Sequence, residues 1–187
     1  MGRPKQLLPW GQEHVISHVV RTLAAAGAEP VYVVVGHAAD QISACLQQFA
    51  PDIAYHIVHN DAYATGEMLS SFQSGIGAAI GNAKATGTLL ALTDQPQIPA
   101  AIIRQVLVAS TANPDAICIP SYQRRRGHPF YLPRRLWPEL LELKAPDTLR
   151  DLLKAHEKSI IYVDVDSPSI LRDMDTPEDY ADLTQSN

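Results

Sequence analysis

Apolar residues recur at helical spacing at Val15, Ile16, Val19, Val20 and Leu23, and Gly27 follows as a stop, which predicts a helix over about 13–26. Residues 31–35 then run Val-Tyr-Val-Val-Val with no polar alternation, the pattern of a short strand covered on both faces. Ile42, Leu46 and Phe49 mark a second helix stopped by Pro51, and 53–58 reads as a weaker strand. A polar, turn-rich stretch at 61–66 leads into a small-residue helix over about 68–80, where Ser70, Ser71, Ser74, Gly75 and Gly77 lower helix propensity. The second clear buried strand, 89–93, runs straight into Asp94-Gln95-Pro96. A helix at 100–109 and a short strand at 116–119 follow, then a broken region at 124–129 that gives way to Phe130-Tyr131-Leu132. Helices are expected near 136–143 and 148–156, a strand at 160–163, and a last helix opened by Pro177 and running to about Leu183.

Strands that alternate with helices predict an α/β layered fold with a mostly parallel sheet, and no repeat or linker divides residues 1–187 into more than one domain. The opening departs from the usual order. Such folds begin with a strand that feeds a phosphate-facing loop, whereas here Gly2, Pro4 and Lys5 lie in a loop ahead of the first helix and no strand is expected before it. The sequence reads as a doubly wound domain without its first strand.

Composition narrows the class. With 46% hydrophobic and 19% charged residues over 187 positions, the chain can bury a full core. A net charge of -5 disfavours nucleic acid or an anionic membrane as partner. No apolar run approaches the ~20 residues of a membrane helix, and the first residues lack the apolar core of a signal peptide. Cys45 and Cys118 form neither a metal-spacing motif nor a disulfide framework and read as small buried residues. These features predict a soluble cytoplasmic domain.

Several positions could carry chemistry. Arg3 and Lys5, two cations in a Gly/Pro loop before a helix, could hold triphosphate oxygens, or could belong to a solvated terminus. Asp94 follows a buried strand at the carboxyl edge, where open α/β sheets put their ligands. There it suits a Mg2+ bridging carboxylate and phosphate oxygens, or a turn before Pro96. In the segment Arg172-Asp-Met-Asp-Thr-Pro-Glu-Asp179, helix-start chemistry explains Thr176, Glu178 and Asp179 but not Asp175, the candidate second carboxylate. Gly66, Met68, Ser70 and Ser71 open a helix with groups that suit a base edge or an anion, or a tight turn with a cap. Arg124, Arg125 and Arg126 suit an anionic substrate or an exposed basic loop, and His128 a substrate contact or a structural role. No HExxH or Cys/His spacing supports zinc, and no Gly-x-Ser-x-Gly elbow supports a serine hydrolase.

Five short motifs occur in order: Gly2-Arg-Pro-Lys-Gln-Leu-Leu-Pro-Trp-Gly11, Gly66-Glu-Met-Leu-Ser-Ser71, Ala91-Leu-Thr-Asp-Gln-Pro96, Arg126-Gly-His-Pro129 and Met174-Asp-Thr-Pro-Glu-Asp-Tyr180. Together they make the chain resemble the MobA-like nucleotidyltransferases, most closely the molybdenum cofactor cytidylyltransferase (MocA-like) branch, over nearly its whole length. The resemblance implies a Rossmann-like three-layer α/β/α nucleotidyltransferase fold. It implies transfer of a nucleoside monophosphate, CMP from CTP, to a phosphorylated acceptor of the molybdopterin type with Mg2+ and release of pyrophosphate. By resemblance Lys5 and Asp94 are the catalytic pair, Asp94 and Asp175 hold the metal, and Arg3, Lys5, Gly66, Met68, Ser70 and Ser71 meet the nucleotide. Gln95, Pro96, Gly127, His128, Pro129 and Arg150 face the acceptor, and a molybdoenzyme or maturation factor is the implied protein partner. Transfer to a sugar or alcohol phosphate, or a non-catalytic binding protein without the phosphate loop, are the alternatives.

Two departures from the family pattern stand out. Members begin with a strand and a glycine-rich loop ending just before the lysine, and this chain starts within that signature, so a start upstream of Met1 is expected. The Gly-Asp-x-Gly-Ala-Arg segment of the molybdopterin branch corresponds here to Ala145-Pro-Asp-Thr-Leu-Arg150, which keeps the arginine and loses the glycines.

Overall fold

A computed structural model describes residues 4–65 and 67–185. Lys5–Leu7 forms one 3-10 turn, after which β1 (Pro9–Trp10) and β2 (Glu13–His14) make a small antiparallel hairpin through Gly11. Gly11 sits at φ 61°, a left-handed conformation that suits glycine. A strand pair therefore does precede the first helix, contrary to expectation, although it joins neither larger sheet. Helix α1 (Val15–Ala25) starts two residues later than its apolar pattern suggests. The Ser17 hydroxyl accepts from the His14 N–H (3.1 Å) and donates to the His14 carbonyl (2.9 Å), which sets the cap at His14. Gly27, at φ 94°, ends the helix as predicted.

The chain continues through β3 (Val31–Val35), α2 (Ala39–Phe49), β4 (Tyr55–His59), α3 (Glu67–Ala79), β5 (Gly87–Leu90) and α4 (Ala100–Ala112). It ends with β6 (Ile117–Tyr122), β7 (Arg125–Arg126), β8 (Phe130–Pro133), α5 (Trp137–Glu142), α6 (Leu149–Ala155), β9 (Ile160–Asp164) and α7 (Pro177–Gln185). β3 and β4 pair in parallel, Val31 opposite Tyr55 through Val35 opposite His59. The other main sheet is mixed: β8 lies antiparallel between β5 and β6, β9 pairs in parallel with β6, and β7 adds a short antiparallel edge. β8, like β1, β2 and β7, is a strand the sequence pattern did not mark, because four residues ending in Pro133 carry no alternation.

The two-residue period of strands explains the layers. Ile117 and Ile119 pack with Phe72, Ile76, Trp137, Leu140 and Leu152 of α3, α5 and α6, whereas Cys118 between them packs with Val106 of α4. In β3, Val33 and Val35 face α1 and α2, and Tyr32 packs against the α3–α5 side. The result is a three-layer α/β/α arrangement. Both cysteines are buried and free, as expected. Among the described residues no helix is long and apolar enough to cross a membrane.

Candidate active site

The carboxyl end of β5 supplies the first element of the site. Leu90 is the last residue in the ladder with β8, and residues 91–93 carry the chain on to Asp94 at the edge of the sheet. The backbone there is tied to a distant segment, since the Asp94 carbonyl accepts from the Met174 N–H at 2.8 Å.

Met174 explains why that segment stays in place. It is fully buried with Trp10, Val15 and Leu183, a burial that contributes about 1.5–3 kcal/mol. Asp173 and Asp175 flank it and are both exposed, whereas Met174 between them is buried. Gln97 adds two anchors, its Nε2 donating to the carbonyls of Ser169 (2.8 Å) and Arg172 (2.7 Å). Behind the segment, Thr176 and Asp179 cap α7 reciprocally: the Asp179 N–H donates to the Thr176 hydroxyl, and Asp179 Oδ2 accepts from the Thr176 N–H at 2.8 Å. The capping role read for Thr176 and Asp179 is thus seen directly, and it leaves Asp175 free for another partner.

That partner is Lys5, whose Nζ donates to Asp175 Oδ1 at 2.7 Å across 170 positions of sequence. Asp94 is close enough to feel both. Burial pushes its carboxyl above the ordinary range, the charges of Asp173 and Asp175 push it further, and Lys5 offsets part of this. Its Oδ1 is buried without a hydrogen-bond partner. A buried carboxylate oxygen with no donor, beside two more carboxylates, is costly unless a proton or a cation meets it. The residues present therefore fit a divalent ion that takes one or two carboxylates and fills its remaining positions with phosphate oxygens. Among the described residues no three His, Cys, Asp or Glu side chains are grouped so as to hold a metal ion by themselves.

Asp173 was not singled out in the sequence, yet it organises the rest of the cluster. Gln95, almost fully buried, donates from Nε2 to Asp173 Oδ1 at 2.7 Å. Burial pushes the His128 imidazole below its ordinary range, and the Asp173 charge partly opposes this. Its ring packs on Phe130 with centroids 5.5 Å apart. Gly127 has a packing reason of its own: a Cβ there would collide with the carbonyl and side chain of Ile170. Gln95, Pro96 and Pro129 meet Val19, Ile98 and Ile103 around a cavity of about 20 Å3, so these three are packed behind the cluster.

The remaining candidates fall in other places. Ser70 and Ser71 both accept from Asn60 Nδ2, at 2.9 and 3.1 Å, and Asn60 Oδ1 accepts from the Ala62 N–H at 3.0 Å. Asn60, buried at the end of β4, thus positions the start of α3, and only its place before a turn hinted at this. Met68 is exposed and, with Ser71, lines a large cleft beside β3 and β5. Arg150 is exposed on α6, with no hydrogen bond or ion pair to Lys5, Asp94 or Asp175 among the described residues. Arg3 and Gly66 lie outside the described residues. The three arginines are exposed, Arg124 in the turn between β6 and β7 and Arg125 and Arg126 on β7 itself. Arg126 reaches the Tyr162 hydroxyl, stacks over its ring at 5.2 Å, and lies 3.5 Å from Glu157.

A lysine and acidic side chains thus gather near the carboxyl end of β5 in a three-layer α/β arrangement. The chain belongs to the MobA-like NTP transferase domain family, whose family model matches residues 1–160. No curated protein matches it. It is similar to Rv0371c from Mycobacterium tuberculosis H37Rv, with 27% identity and a TM-score of 0.79 over 99% of this chain and 90% of that one. Rv0371c has also been crystallised as a manganese complex, similar at 28% identity and a TM-score of 0.77 over 98% and 93% of the two chains. The fold is shared with Mth528, a nucleotidyl transferase from Methanothermobacter thermautotroptrophicus (23% identity, TM-score 0.78, 98% and 86% covered). It is also shared with CMP:2-keto-3-deoxy-manno-octonic acid synthetase complexed with CTP (13%, TM-score 0.69, 97% and 90% covered).

Proposed function

We propose that this nucleotidyltransferase transfers CMP from CTP to the terminal phosphate of a molybdopterin-type acceptor, with the whole chain acting as one catalytic domain. The observation that carries the proposal is the Lys5–Asp175 pair beside Asp94, whose Oδ1 is buried and unpartnered. In the reaction, an acceptor phosphate oxygen attacks the α-phosphorus of the nucleotide. As that P–O bond forms, the bond to the β-phosphate oxygen breaks, its electron pair leaves with pyrophosphate, and no covalent protein intermediate is needed.

Lys5 binds the triphosphate and meets the negative charge that builds on the leaving pyrophosphate, a fixed cation already oriented by Asp175. Asp94 and Asp175 would hold the Mg2+, which supplies charge neutralisation on the phosphates. The manganese complex of the M. tuberculosis relative supports a divalent ion in this role. Met68, Ser70 and Ser71, with Gly66, would meet the base and ribose, and Arg3 would assist Lys5 at the triphosphate. Gln95, Pro96, Gly127, His128, Pro129 and Arg150 shape the acceptor side, with Asp173 holding the Gln95 amide in one orientation.

Pyrophosphate release is the test, measured with each of CTP, GTP, ATP and UTP, with Mg2+ or Mn2+, and with molybdopterin cofactor or a sugar phosphate as acceptor. Release with CTP and the pterin acceptor, and little with other pairs, is expected. Release only with a sugar or alcohol phosphate would replace the acceptor, and silence with every pair would leave a nucleotide-fold binding protein.

A further inference from the structure

The turn between β6 and β7 holds backbone that its residues do not favour. Gln123 and Arg124, its two residues, sit at φ 48° and 65°. A two-residue hairpin turn with positive φ at both positions is ordinarily filled by asparagine and glycine, which reach that region at little cost. Here a glutamine and an arginine occupy it, both exposed, so packing does not explain the choice. Strain of this kind persists where the side chain is kept for something other than stability.

The three arginines divide by face. Arg126 pairs with Ser121 in the ladder, and its guanidinium is already committed to the Tyr162 hydroxyl and to Glu157 at 3.5 Å. Arg125, the next residue along β7, lies on the other face. Its ladder partner Tyr122 packs there against the cluster that holds Ile98 and Ile170, so Arg125 shares a side with the 95–98 loop. Among the described residues neither the Arg124 nor the Arg125 guanidinium has a hydrogen-bond or ion-pair partner.

Topology sets this turn beside the candidate site. β5 and β6 both run antiparallel to β8, so their carboxyl ends lie at one edge of the sheet. Asp94 follows β5 at that edge, and the Gln123–Arg124 turn follows β6. The chain then returns through Gly127 to His128, four residues on, which limits Arg124 to within about 14 Å of it. We propose that Arg124 and Arg125 bind a second anionic group of the acceptor, on the order of 10 Å from its reacting phosphate, and so select doubly charged acceptors over simple phosphate monoesters. The inference rests on the reading of this edge as the place where a phosphorylated acceptor meets the nucleotide. A guanidinium suits the task, since its planar fork gives two parallel hydrogen bonds to a phosphate or carboxylate and never loses its charge. The arginine on the far face is already met by Glu157, and the free charge lies at the turn and on the side of the 95–98 loop. That distribution favours a small acceptor over an acidic protein surface.

Calorimetric titration with glucose 1,6-bisphosphate and with glucose 1-phosphate tests it. The wild type is expected to bind the bisphosphate about ten-fold more tightly or better. Arg124→Gly and Arg125→Ala should each lose most of that preference, while Lys5→Met, which weakens both ligands alike, should keep it. Because glycine relaxes the turn, Arg124→Gly should melt level with the wild type or about 2–4 °C above it. Arg124→Lys, which keeps the charge and the strain, should restore part of the preference without that rise. No preference in the wild type would overturn the proposal, as would a preference that survives in Arg124→Gly and Arg125→Ala or disappears in Lys5→Met. A fall in the melting temperature of Arg124→Gly alongside the lost preference would make the turn a structural element and overturn it equally. The titration needs no turnover, so its failure is distinguishable from failure of the transfer chemistry.

Discussion

Asp94→Asn is expected to lower kcat by about 10²–10³-fold while its melting temperature at neutral pH stays level or rises. The two effects have one cause. The native carboxyl is pushed above its ordinary range by burial and by Asp173 and Asp175, so the folded state binds this proton more tightly than the unfolded chain does. Stability from this group is full below the ordinary carboxylate range and is lost as pH rises through the folded value. Where the carboxyl is ionised, the wild type therefore holds a charge that folding disfavours, and asparagine removes it at nearly equal volume. Divalent cation plus CTP should raise the melting temperature of the wild type and leave Asp94→Asn unmoved. Thermal denaturation with and without Mg2+ and CTP, run beside the pyrophosphate assay, checks both halves. A large loss of stability with turnover retained would return Asp94 to a purely structural role.

Lys5→Met is the second large effect, a fall in kcat/KM for the nucleotide of about 100-fold with the fold preserved. Lys5 and Asp175 are partly exposed, 34% and 66% for their side chains, and an ion pair of that kind contributes only about 0–1 kcal/mol to stability. Its value in the proposed reaction lies in orientation: Asp175 would hold the ammonium where the triphosphate is to bind. Lys5→Arg should recover part of the loss, since charge is kept while the compact point cation is replaced by a planar fork. Steady-state kinetics over CTP concentration, with circular dichroism as the check on folding, measure this. Unchanged kinetics in Lys5→Met would remove the lysine from the reaction.

Much of the scaffold was legible because its signals are local. The run Val31–Val35 needs no tertiary knowledge to be read as a doubly covered strand, and Gly27 marks its turn through backbone conformation alone. The helix start at Thr176 and Asp179 was equally plain, and subtracting it left Asp175 standing out. What stayed hidden depends on partners far away in sequence. β8 becomes a strand only because β5 and β6 flank it. Asp173 looked like one more acidic residue until Gln95 and His128 were brought against it, 78 positions and a sheet edge away in the case of Gln95. Ser70 and Ser71 read as ligand contacts, and Asn60, which sets their position, carried no motif. Gly127 matched a family motif, while its need for glycine comes from the close passage of Ile170.

Electron paramagnetic resonance of Mn2+ in the presence of CTP is the most direct probe of a cation shared between the end of β5 and the segment before α7. The account predicts one Mn2+ bound with nucleotide in the wild type, weakened strongly and to similar extent in Asp94→Asn and Asp175→Asn, and untouched in Asp151→Asn, a carboxylate that caps α6. Binding that survives both Asp94→Asn and Asp175→Asn would contradict it.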